Sequence, residues 1–469
     1  MLPLVDWSAS DRLALITDAG QSLTYGQLRS EVARVSKFLA QNRLIFLAGR
    51  NDIPTIVTYL ACLETGCVPL LLDPDIFEKS FSSLLSTYLP AYLFSPTTLA
   101  INYSDLETVL VNCEYSLSRH RDGIGPDLHP ELSLLLATSG STGSPKLVRL
   151  SRTNILSNTL SIVDYLGINE EERAVTSLPF NYSYGMSVIN SHLNAGASIL
   201  LTNRSLFDPL FWRLMNSNEV TSLAGVPYSY EILFKLRFQS IELPALRTLT
   251  QAGGRLSVPL TKWINEICSS KGIRFFTMYG QTEASPRMAY LQPEYMGTKI
   301  GSIGRAIPGG NLWLEDSQGN RIEQPEEIGE LIYSGPNVAL GYALNHNDLV
   351  LGDGWHGILR TGDLARQDVD GFFFIEGRSS RFLKIFGVRV SLDAVEAWYA
   401  EREVVAAAYG RDDHLKVMIE ARSHVDNDES KQLAAILQIH PSAITISALP
   451  ILPRLNAGKI DYSCLNTKH

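Results

Sequence analysis

A hydroxyl-rich glycine loop follows an apolar run in the stretch Leu132-Ser133-Leu134-Leu135-Leu136-Ala137-Thr138-Ser139-Gly140-Ser141-Thr142-Gly143-Ser144-Pro145-Lys146. The apolar run predicts a buried strand, because strands covered on both faces are almost continuously apolar. Glycines let several backbone N–H groups turn toward one anion, hydroxyls add donors, and the ammonium of Lys146 adds positive charge. The stretch therefore predicts a phosphate-binding loop at the end of a strand.

This loop differs from the phosphate loop of P-loop nucleotide hydrolases. That loop requires four residues between its glycines, followed by Gly-Lys and a hydroxyl residue. Here Pro145 precedes the lysine and Leu147 follows it. A phosphotransferase that uses the stretch as a P-loop is therefore disfavoured, and a functionless surface loop would explain only a shorter stretch of this composition.

The bulk composition is that of an ordinary globular protein. The chain has 469 residues, of which 45% are hydrophobic and 19% charged, with a formal net charge of −9. It therefore lacks a basic field that would attract nucleic acid or anionic lipid, and we expect neither nucleic-acid binding nor membrane insertion. Five scattered cysteines, no basic leader and no run of about 18 apolar residues predict a cytoplasmic protein.

Helix and strand patterns alternate through the first part of the chain, which predicts an α/β fold with parallel sheets flanked by helices. The apolar periodicity predicts helices over 24–40 and 53–65. Short apolar runs predict strands over 44–48, 68–72, 174–178, 198–201, 222–224 and 275–278.

The pattern changes twice toward the C-terminus. From about Ile303, short strands and turns predict a small β-rich subdomain. After Arg378 the sequence predicts a compact α+β unit of about 90 residues, a size that suffices for a domain. Ser391 is the expected N-cap of its first helix, strands are expected over 404–409 and 415–419, and a second helix over 429–437. We therefore expect an N-terminal domain over 1–378 and a C-terminal domain over 379–469.

Four further segments accompany the glycine loop in a specific order. They are Met278-Tyr-Gly-Gln-Thr-Glu283, Leu359-Arg-Thr-Gly-Asp363, Gly377-Arg378 with Lys384-Ile-Phe-Gly387-Val-Arg389, and Leu452-Pro-Arg-Leu-Asn-Ala-Gly-Lys459. Together with the loop, they resemble the core motifs of the acyl-adenylate-forming superfamily, which includes acyl-CoA synthetases, peptide-synthetase adenylation domains and luciferases. The resemblance extends from Leu23 to Lys459. It implies a large N-terminal domain followed by a mobile C-terminal domain.

The resemblance implies that a carboxylate attacks the α-phosphorus of ATP, that pyrophosphate leaves, and that a thiol then takes the acyl group. Catalysis would consist largely of positioning and neutralisation of phosphoryl charge. The β- and γ-phosphates would be held by the loop residues Thr138, Ser139, Gly140, Ser141, Thr142, Gly143 and Lys146. Thr282 would bind the α-phosphate, and Glu283 would bind Mg²⁺.

The same resemblance assigns the nucleoside and the reacting carboxylate. Asp363, assisted by Arg378, would accept hydrogen bonds from the ribose hydroxyls. Lys459 would touch both the attacking carboxylate and the α-phosphate. The wall of the adenine site would consist of Gly253, Gly254, Tyr279 and Gly280.

For the second half-reaction the resemblance implies rotation of the C-terminal domain. The face that bears Lys384 and Arg389 would replace the face that bears Lys459, and Gly387 would line a tunnel for a pantetheine thiol. The hinge would lie at Ser380, where relatives usually carry Asp or Lys. Serine permits the torsion but lacks ion pairs that would bias the two arrangements.

The substrate acid is expected to meet the segment Leu178–Met186. Relatives that activate amino acids carry an aspartate there for the substrate ammonium, whereas this chain has Asn181 and Tyr182 and no acid. An unpaired ammonium in a partly dry pocket would cost several kcal/mol, which disfavours α-amino acids. Tyr182 is a candidate gate, and the wall residues Asn181, Tyr182, Tyr184, Met186, Val226, Tyr228 and Ala284 would suit a short, branched or hydroxylated acyl group.

Several alternatives stay open at the level of sequence. The acceptor is either coenzyme A or the pantetheine of a carrier protein, with a slight preference for a carrier protein because little sequence precedes the glycine loop. An amino-acid adenylation domain that recognises its ammonium elsewhere is a second possibility, and a degenerate adenylate-binding protein is a third. His192 is expected to be a core or supporting residue, and Trp355 and His356 are expected to pack.

Overall fold

The computed structural model describes residues 4–8, 10–98, 106–122, 125–137, 146–378, 381–420, 429–455 and 458–466. In the first part of the chain, helices and strands alternate, and strands form at the apolar runs of the sequence. The strands are β1 (Leu13–Thr17), β2 (Ser22–Thr24), β3 (Leu44–Ala48), β4 (Val68–Leu72), β5 (Tyr92–Pro96), β6 (Leu106–Asn112), β7 (Tyr115–His120), β8 (Leu132–Ala137) and β9 (Leu147–Ser151). The helices are α1 (Tyr25–Ser36), α2 (Ile53–Thr65), α3 (Pro74–Tyr88) and α4 (Arg152–Leu166).

The next part repeats this alternation. Its strands are β10 (Arg173–Val175), β11 (Ser198–Leu201), β12 (Ser222–Gly225), β13 (Thr248–Gln251), β14 (Arg274–Gly280), β15 (Arg287–Leu291) and β16 (Arg305–Ala306). Its helices are α5 (Ser183–Asn194), α6 (Pro209–Ser217), α7 (Pro227–Lys235) and α8 (Val258–Lys271).

Short strands dominate the remainder. They are β17 (Asn311–Glu315), β18 (Arg321–Ile322), β19 (Gly329–Ser334), β20 (Gly341–Ala343), β21 (Ile358–Gln367), β22 (Phe373–Arg378), β23 (Phe382–Ile385), β24 (Val388–Ser391), β25 (Ala406–Arg411), β26 (His414–Glu420) and β27 (Ile444–Leu449). The last helices are α9 (Leu392–Ala400), α10 (Glu429–Leu437) and α11 (Tyr462–Asn466).

Two large mixed sheets with parallel centres organise the described chain. One has the order β20-β9-β8-β4-β3-β5-β7-β6, and the other has the order β16-β15-β14-β13-β12-β10-β11-β1-β2. Side chains alternate between the faces of a strand, so β3 directs Ile45 and Leu47 into a core shared with α1, α2, α4 and α5, and Phe46 toward α3. The second sheet closes the other side of that shared core and packs its opposite face against α6, α7 and α8.

Two smaller units complete the fold. A five-stranded sheet of order β18-β17-β19-β21-β22 carries Asp363 and Arg378 on adjacent strands. The C-terminal part has its own apolar core, formed by β23 to β27 with α9 and α10. The mixed α/β class predicted from the sequence is confirmed. No helix in the described part of the chain has the length and apolar character needed to cross a membrane.

Local capping explains where several helices begin and end. The Thr24 hydroxyl accepts the N–H of Gln27 to start α1, and the Asp52 carboxylate accepts the N–H of Thr55 to start α2. Helix α2 ends at Gly66, whose φ of +74° favours glycine. Helix α1 ends at Ser36, not at Ala40 as the periodicity predicted. Leu39 lies beyond the helix but is still buried, so the apolar pattern reflects burial and extends past the last helical turn.

Candidate active site

Three neighbouring parallel strands, β12, β13 and β14, end at one edge of the nine-stranded sheet. The segments that follow them carry Val226, the pair Gly253 and Gly254, and the turn Thr282–Ala284. Ligands of open α/β sheets bind beside the carboxyl ends of parallel strands. The fold therefore brings these separate segments to the edge where a ligand is expected.

Asp363 lies beside this edge at the centre of a hydrogen-bond network. Its side chain belongs to β21 and is buried, with 3% of the residue exposed. Oδ2 accepts a short hydrogen bond from the Tyr279 hydroxyl and one of 3.0 Å from Nε2 of Gln281. Oδ1 accepts from Nε of Arg378 at 3.1 Å. The carboxylate is thus held in one orientation by three donors.

The environment of Tyr279 reflects the same network. Burial raises the pKa of its phenol well above the ordinary value, and the adjacent Asp363 raises it further, so the phenol remains a hydrogen-bond donor. The sequence placed Tyr279 against adenine. In the structure its hydroxyl orients Asp363 instead of pointing to open space. Gln281, which was not selected from the sequence, makes a similar contact and stands inside the segment Met278–Glu283.

Glu283 and Lys146 both contact Tyr342. The hydroxyl of Tyr342 donates to Oε1 of Glu283 at 2.7 Å, and Nζ of Lys146 lies 3.8 Å from the centroid of the Tyr342 ring. Tyr342 reaches this position because β20 pairs with β9, with Tyr342 opposite Val148. No motif surrounds Tyr342, so no pattern in the sequence pointed to it. Thr282 lies next to Glu283, and its hydroxyl is 3.2 Å from that of Ser183.

Lys459 enters the same site from the C-terminal part of the chain. Its Nζ lies 5.5 Å from the centroid of the Tyr182 ring. Burial lowers the pKa of the Lys459 ammonium, the positive charge of Arg378 lowers it further, and Glu283 acts in the opposite direction. The structure therefore brings together Lys459, Arg378 and Glu283, which are far apart in the sequence.

The segment before Lys459 is fixed to the N-terminal part by Arg454. An Nη of Arg454 lies 3.2 Å from Oε2 of Glu231, and its guanidinium lies 4.2 Å from the centroid of the Tyr228 ring. Gly458, with φ of +77°, packs so closely that a Cβ there would lie 2.9 Å from Cγ2 of Val226. These contacts hold the Lys459 segment against the strand edge.

The hairpin of β23 and β24 lies outside this network. Lys384 is exposed, and its backbone N–H donates to Oδ1 of Asp412 at 2.8 Å. Phe386 and Gly387 form the two-residue loop, with φ of +47° and +90°, values typical of a type I′ turn. A Cβ at Gly387 would meet open space, so here the turn conformation is what favours glycine.

The predicted acid pocket divides into two groups of residues. Tyr182, Tyr184 and Val226 share one apolar cluster beside the strand edge. Met186 packs in the shared core between the two large sheets, and Ala284 packs in the core of the five-stranded unit. The structure thus gathers the first group and directs the second away from it.

The remaining residues discussed in the sequence analysis differ in burial and in contacts. Nδ1 of His192 lies 2.8 Å from the carbonyl oxygen of Val188, and burial lowers the pKa of the ring. Trp355 packs edge-on against Tyr342, while His356 is exposed. Asn181 is half-buried.

Two of the glycines have close neighbours, a side chain at Gly253 and the backbone at Gly280. A Cβ at Gly253 would lie 2.5 Å from the Tyr182 hydroxyl, and a Cβ at Gly280 would overlap the carbonyl oxygen of Pro286. The need for glycine at both positions thus comes from the protein's own packing. Thr138, Ser139, Gly140, Ser141, Thr142, Gly143 and Ser380 lie outside the described residues.

Several known proteins resemble this chain in sequence. The sequence model described as "AMP-binding enzyme" matches residues 6–343. Indoleacetate–CoA ligase of Aromatoleum aromaticum is 28% identical, with 83% of this chain and 81% of the relative covered. Feruloyl-CoA synthase of an Amycolatopsis species is 30% identical over 79% of this chain and 76% of the relative.

The fold also matches solved structures. The o-succinylbenzoate CoA synthetase of Bacillus subtilis, solved with its acyl-adenylate intermediate, superposes with a TM-score of 0.79 at 22% identity, covering 97% of this chain and 96% of that one. At this identity the likeness concerns the fold alone. The match of the sequence model to most of the chain settles the family, and the chain belongs to the AMP-binding enzymes, the acyl-adenylate-forming superfamily.

Proposed function

We propose that this chain activates a carboxylic acid as an acyl-adenylate at the expense of ATP, releases pyrophosphate, and transfers the acyl group to the thiol of coenzyme A. The observation that carries the proposal is the position of Lys459, which lies over Tyr182 within the electrostatic influence of both Glu283 and Arg378. A half-buried cation that is influenced by a carboxylate suits a reaction that joins two anions, a carboxylate and a phosphate ester.

The nucleoside would bind at Asp363. A carboxylate offers about four acceptor positions, and Tyr279, Gln281 and Arg378 already use three of them. Two ribose hydroxyls therefore require one donor to move. Arg378 is the suitable one, because 58% of its side chain is exposed whereas Tyr279 is half-buried. Arg378 would then turn its charge toward the ribose and phosphate.

The phosphates would bind between Lys146 and Thr282, with the loop before Lys146 supplying further donors. A bound Mg²⁺ would bridge phosphate oxygens and neutralise part of their charge. Among the described residues there is no group of three or more His, Cys, Asp or Glu side chains that could hold a metal. Glu283 therefore fits the usual magnesium arrangement, in which one carboxylate and the substrate's own phosphates provide the ligands. The hydrogen bond from Tyr342 would orient the Glu283 carboxylate for this task.

Lys459 would act on the reacting atoms. Its ammonium would hold the incoming carboxylate near the α-phosphate and offset the charge that develops on the phosphoryl oxygens. Tyr182 would form the wall between this lysine and the acyl group. Low water content around the lysine strengthens these interactions, and the same burial lowers its pKa.

The acceptor is proposed to be coenzyme A. The sequence slightly favoured a carrier protein, but the relatives with the similarities given above are named as CoA ligases and synthases. We propose that residues 379–469 form the mobile domain, that it turns about Ser380, and that Lys384 and Gly387 then approach the site. The exposure of the Lys384 hairpin supports this, since that surface is free to approach another part of the protein.

A pyrophosphate-exchange screen over carboxylic acids tests the first half-reaction, followed by thioester detection with coenzyme A and with pantetheinylated carrier proteins. We expect exchange with at least one acid and thioester with coenzyme A. Asp363→Asn should lower the exchange by about 10-fold or more, because it loses a charged hydrogen-bond acceptor. Asp353→Asn, in an exposed turn, is the matched control.

Each contrary result has a defined meaning. Exchange with no acid would contradict the proposal and favour an adenylate-binding protein without ligase activity. Exchange with amino acids alone would favour an amino-acid adenylation domain. Thioester with a carrier protein and none with coenzyme A would correct the acceptor. ATP cleavage to ADP would favour a phosphotransferase.

A further inference from the structure

A mostly apolar cavity lies behind the strand edge, next to the two tyrosines of the acid pocket. Its volume is about 30 Å³, which is room for a group of the size of a carboxylate. Tyr184, Met278 and Arg287 line one end, and Ser222 and His192 line the other. The cavity lies along β12, β13 and β14, and it shares Tyr184, Ala224 and Met278 with the apolar cluster that also contains Tyr182 and Val226.

Arg287 is an unusual residue for such a cavity. It is 3% exposed, and no Asp or Glu in the described part of the chain lies within 4.0 Å of its guanidinium nitrogens. Its contacts are neutral and long: Nε lies 3.4 Å from the sulfur of Met278, and an Nη lies 3.5 Å from the hydroxyl of Ser187. The Tyr165 hydroxyl is a further neutral partner, and the face of Tyr184 lies 4.0 Å away.

The positive charge of Arg287 influences the surrounding phenols. Burial raises the pKa of Tyr182 to about 12, and the charge of Arg287 acts against this increase. Tyr184 and Tyr165 respond in the same way. The charge of Arg287 therefore acts on Tyr182 and Tyr184 of the predicted acid pocket.

A buried charge that lacks an opposite charge is costly. A guanidinium also has five N–H donors in a planar fork that matches a carboxylate. The thioether sulfur, the hydroxyls and the aromatic face use only part of the hydrogen-bonding capacity of this guanidinium. A negatively charged group entering the cavity would complete it.

Tyr182 and Tyr184 form a chain of neighbouring rings from Lys459 to Arg287. Nζ of Lys459 lies 5.5 Å from the Tyr182 ring, the rings of Tyr182 and Tyr184 are 6.3 Å apart, and the Arg287 guanidinium lies 4.0 Å from the Tyr184 ring. We propose that Arg287 binds a second carboxylate at the far end of the substrate, so that this enzyme activates one end of a dicarboxylic acid. The inference rests on the proposed function and specifies its substrate class.

The end of the cavity at His192 and Ser222 is not suited to bind the second carboxylate. There Glu172 accepts a short hydrogen bond from Thr221, and Nε2 of His192 lies 3.2 Å from the hydroxyl of Ser222. These groups are satisfied by neighbours within the fold, and Glu172 would repel an anion. The second carboxylate is therefore expected at the Tyr184 and Met278 end.

The test compares acids in matched pairs that differ only in a terminal carboxylate, such as hexanoate with adipate and 3-phenylpropanoate with 3-(carboxyphenyl)propanoate. The readout is the apparent kcat/KM of pyrophosphate exchange with ATP. In the unmodified enzyme the diacid of at least one pair should exceed its monoacid partner by about 30-fold or more, the cost typical of an unpaired buried charge. Arg287→Met should remove this preference, and Arg287→Lys should retain part of it.

Arg274→Met is the matched control, because Arg274 lines the same cavity but is exposed and donates to the carbonyl oxygen of Leu166. It should leave the diacid preference unchanged. Arg287→Met should also have a Tm at least as high as that of the unmodified protein, since it removes an uncompensated buried charge. A substantially lower Tm would indicate a structural role and contradict the inference.

The remaining outcomes separate the two proposals. Monoacid activation that is equal to or better than diacid activation in the unmodified enzyme overturns the role of Arg287 and leaves the ligase function intact. A diacid preference that persists in Arg287→Met has the same meaning. Exchange with no acid of either kind contradicts the ligase function and, with it, this inference.

Discussion

Two lysines of the C-terminal part occupy opposite environments. Lys459 is half-buried against the strand edge, its segment is held there through Arg454, and burial lowers its pKa. Lys384 is exposed on a hairpin whose loop projects into open space. Under the proposed rotation, this arrangement would serve acyl-adenylate formation, because the segment that carries Lys459 lies at the candidate site and the Lys384 hairpin does not.

Replacing Lys459 should give the largest effect. Lys459→Gln removes a half-buried cation beside the reacting groups, and we expect acyl-adenylate formation to fall by about 100- to 1,000-fold. Thioester formation from a supplied acyl-adenylate should persist. Pyrophosphate exchange and a thiolysis assay measure the two steps, with Lys384→Gln as the control that should affect only thiolysis. Equal losses in both assays for each variant would remove the distinction between the lysines.

Ser380→Pro restricts the proposed hinge between the two arrangements. Proline fixes φ, and an incompatible position costs about 3 kcal/mol, so thioester formation should fall by about 100-fold while pyrophosphate exchange is spared. Ser380→Ala keeps the torsional freedom and should behave like the unmodified enzyme. If exchange and thiolysis decline together in the proline variant, the hinge is not at this residue.

Glu231→Gln weakens the contact that holds the Lys459 segment. Arg454 would retain Glu420, at 3.7 Å, and the Tyr228 ring, so the loss should be about 1 kcal/mol, or about 5-fold in acyl-adenylate formation. Thiolysis should not decrease. Glu171→Gln breaks an exposed ion pair with Arg247 and serves as the control, because such pairs contribute little. Faster adenylate formation in Glu231→Gln would show that the contact opposes catalysis.

The smallest expected effect concerns the pH dependence of acyl-adenylate formation. The ammonium form of Lys459 is the active one, and its pKa is below the ordinary value of 10.5, so kcat/KM for acyl-adenylate formation should decrease as pH rises through that lowered pKa. Bound phosphates favour the charged form, which should place the limb of kcat at higher pH. Lys459→Arg should be slow but lack this limb, since arginine stays protonated. An unchanged alkaline limb in Lys459→Arg would assign it to another group.

Local patterns predicted most of the scaffold. Helix α2 and the strands β3 and β4 have the predicted bounds, and Ser391 caps α9 as expected. These elements depend on apolar periodicity and on capping residues within a few positions, which a sequence displays directly. The predicted strand over 174–178 is shorter, since β10 ends at Val175 and the chain then turns toward the site.

The residues of the candidate site were predictable only where they belong to a sequence motif. Asp363, Glu283 and Lys459 stand in recognisable segments, and the structure places each of them beside the strand edge. Tyr342 and Arg287 lacked such a signal. Tyr342 reaches Glu283 through the pairing of β20 with β9, and the isolation of Arg287 depends on which side chains surround it. Such relations arise from long-range packing, which a local pattern does not contain.

The position of Tyr182 has a consequence for redesign and for divergence among relatives. Its ring lies beneath Lys459, and its hydroxyl lies against Gly253, so one side chain would border both the proposed acyl group and the lysine. A smaller residue there would admit bulkier acids but would also leave the lysine without its support. New substrate ranges should therefore evolve more readily by changes deeper in the cavity, at Tyr184 or Met278, than at the residue closest to the chemistry.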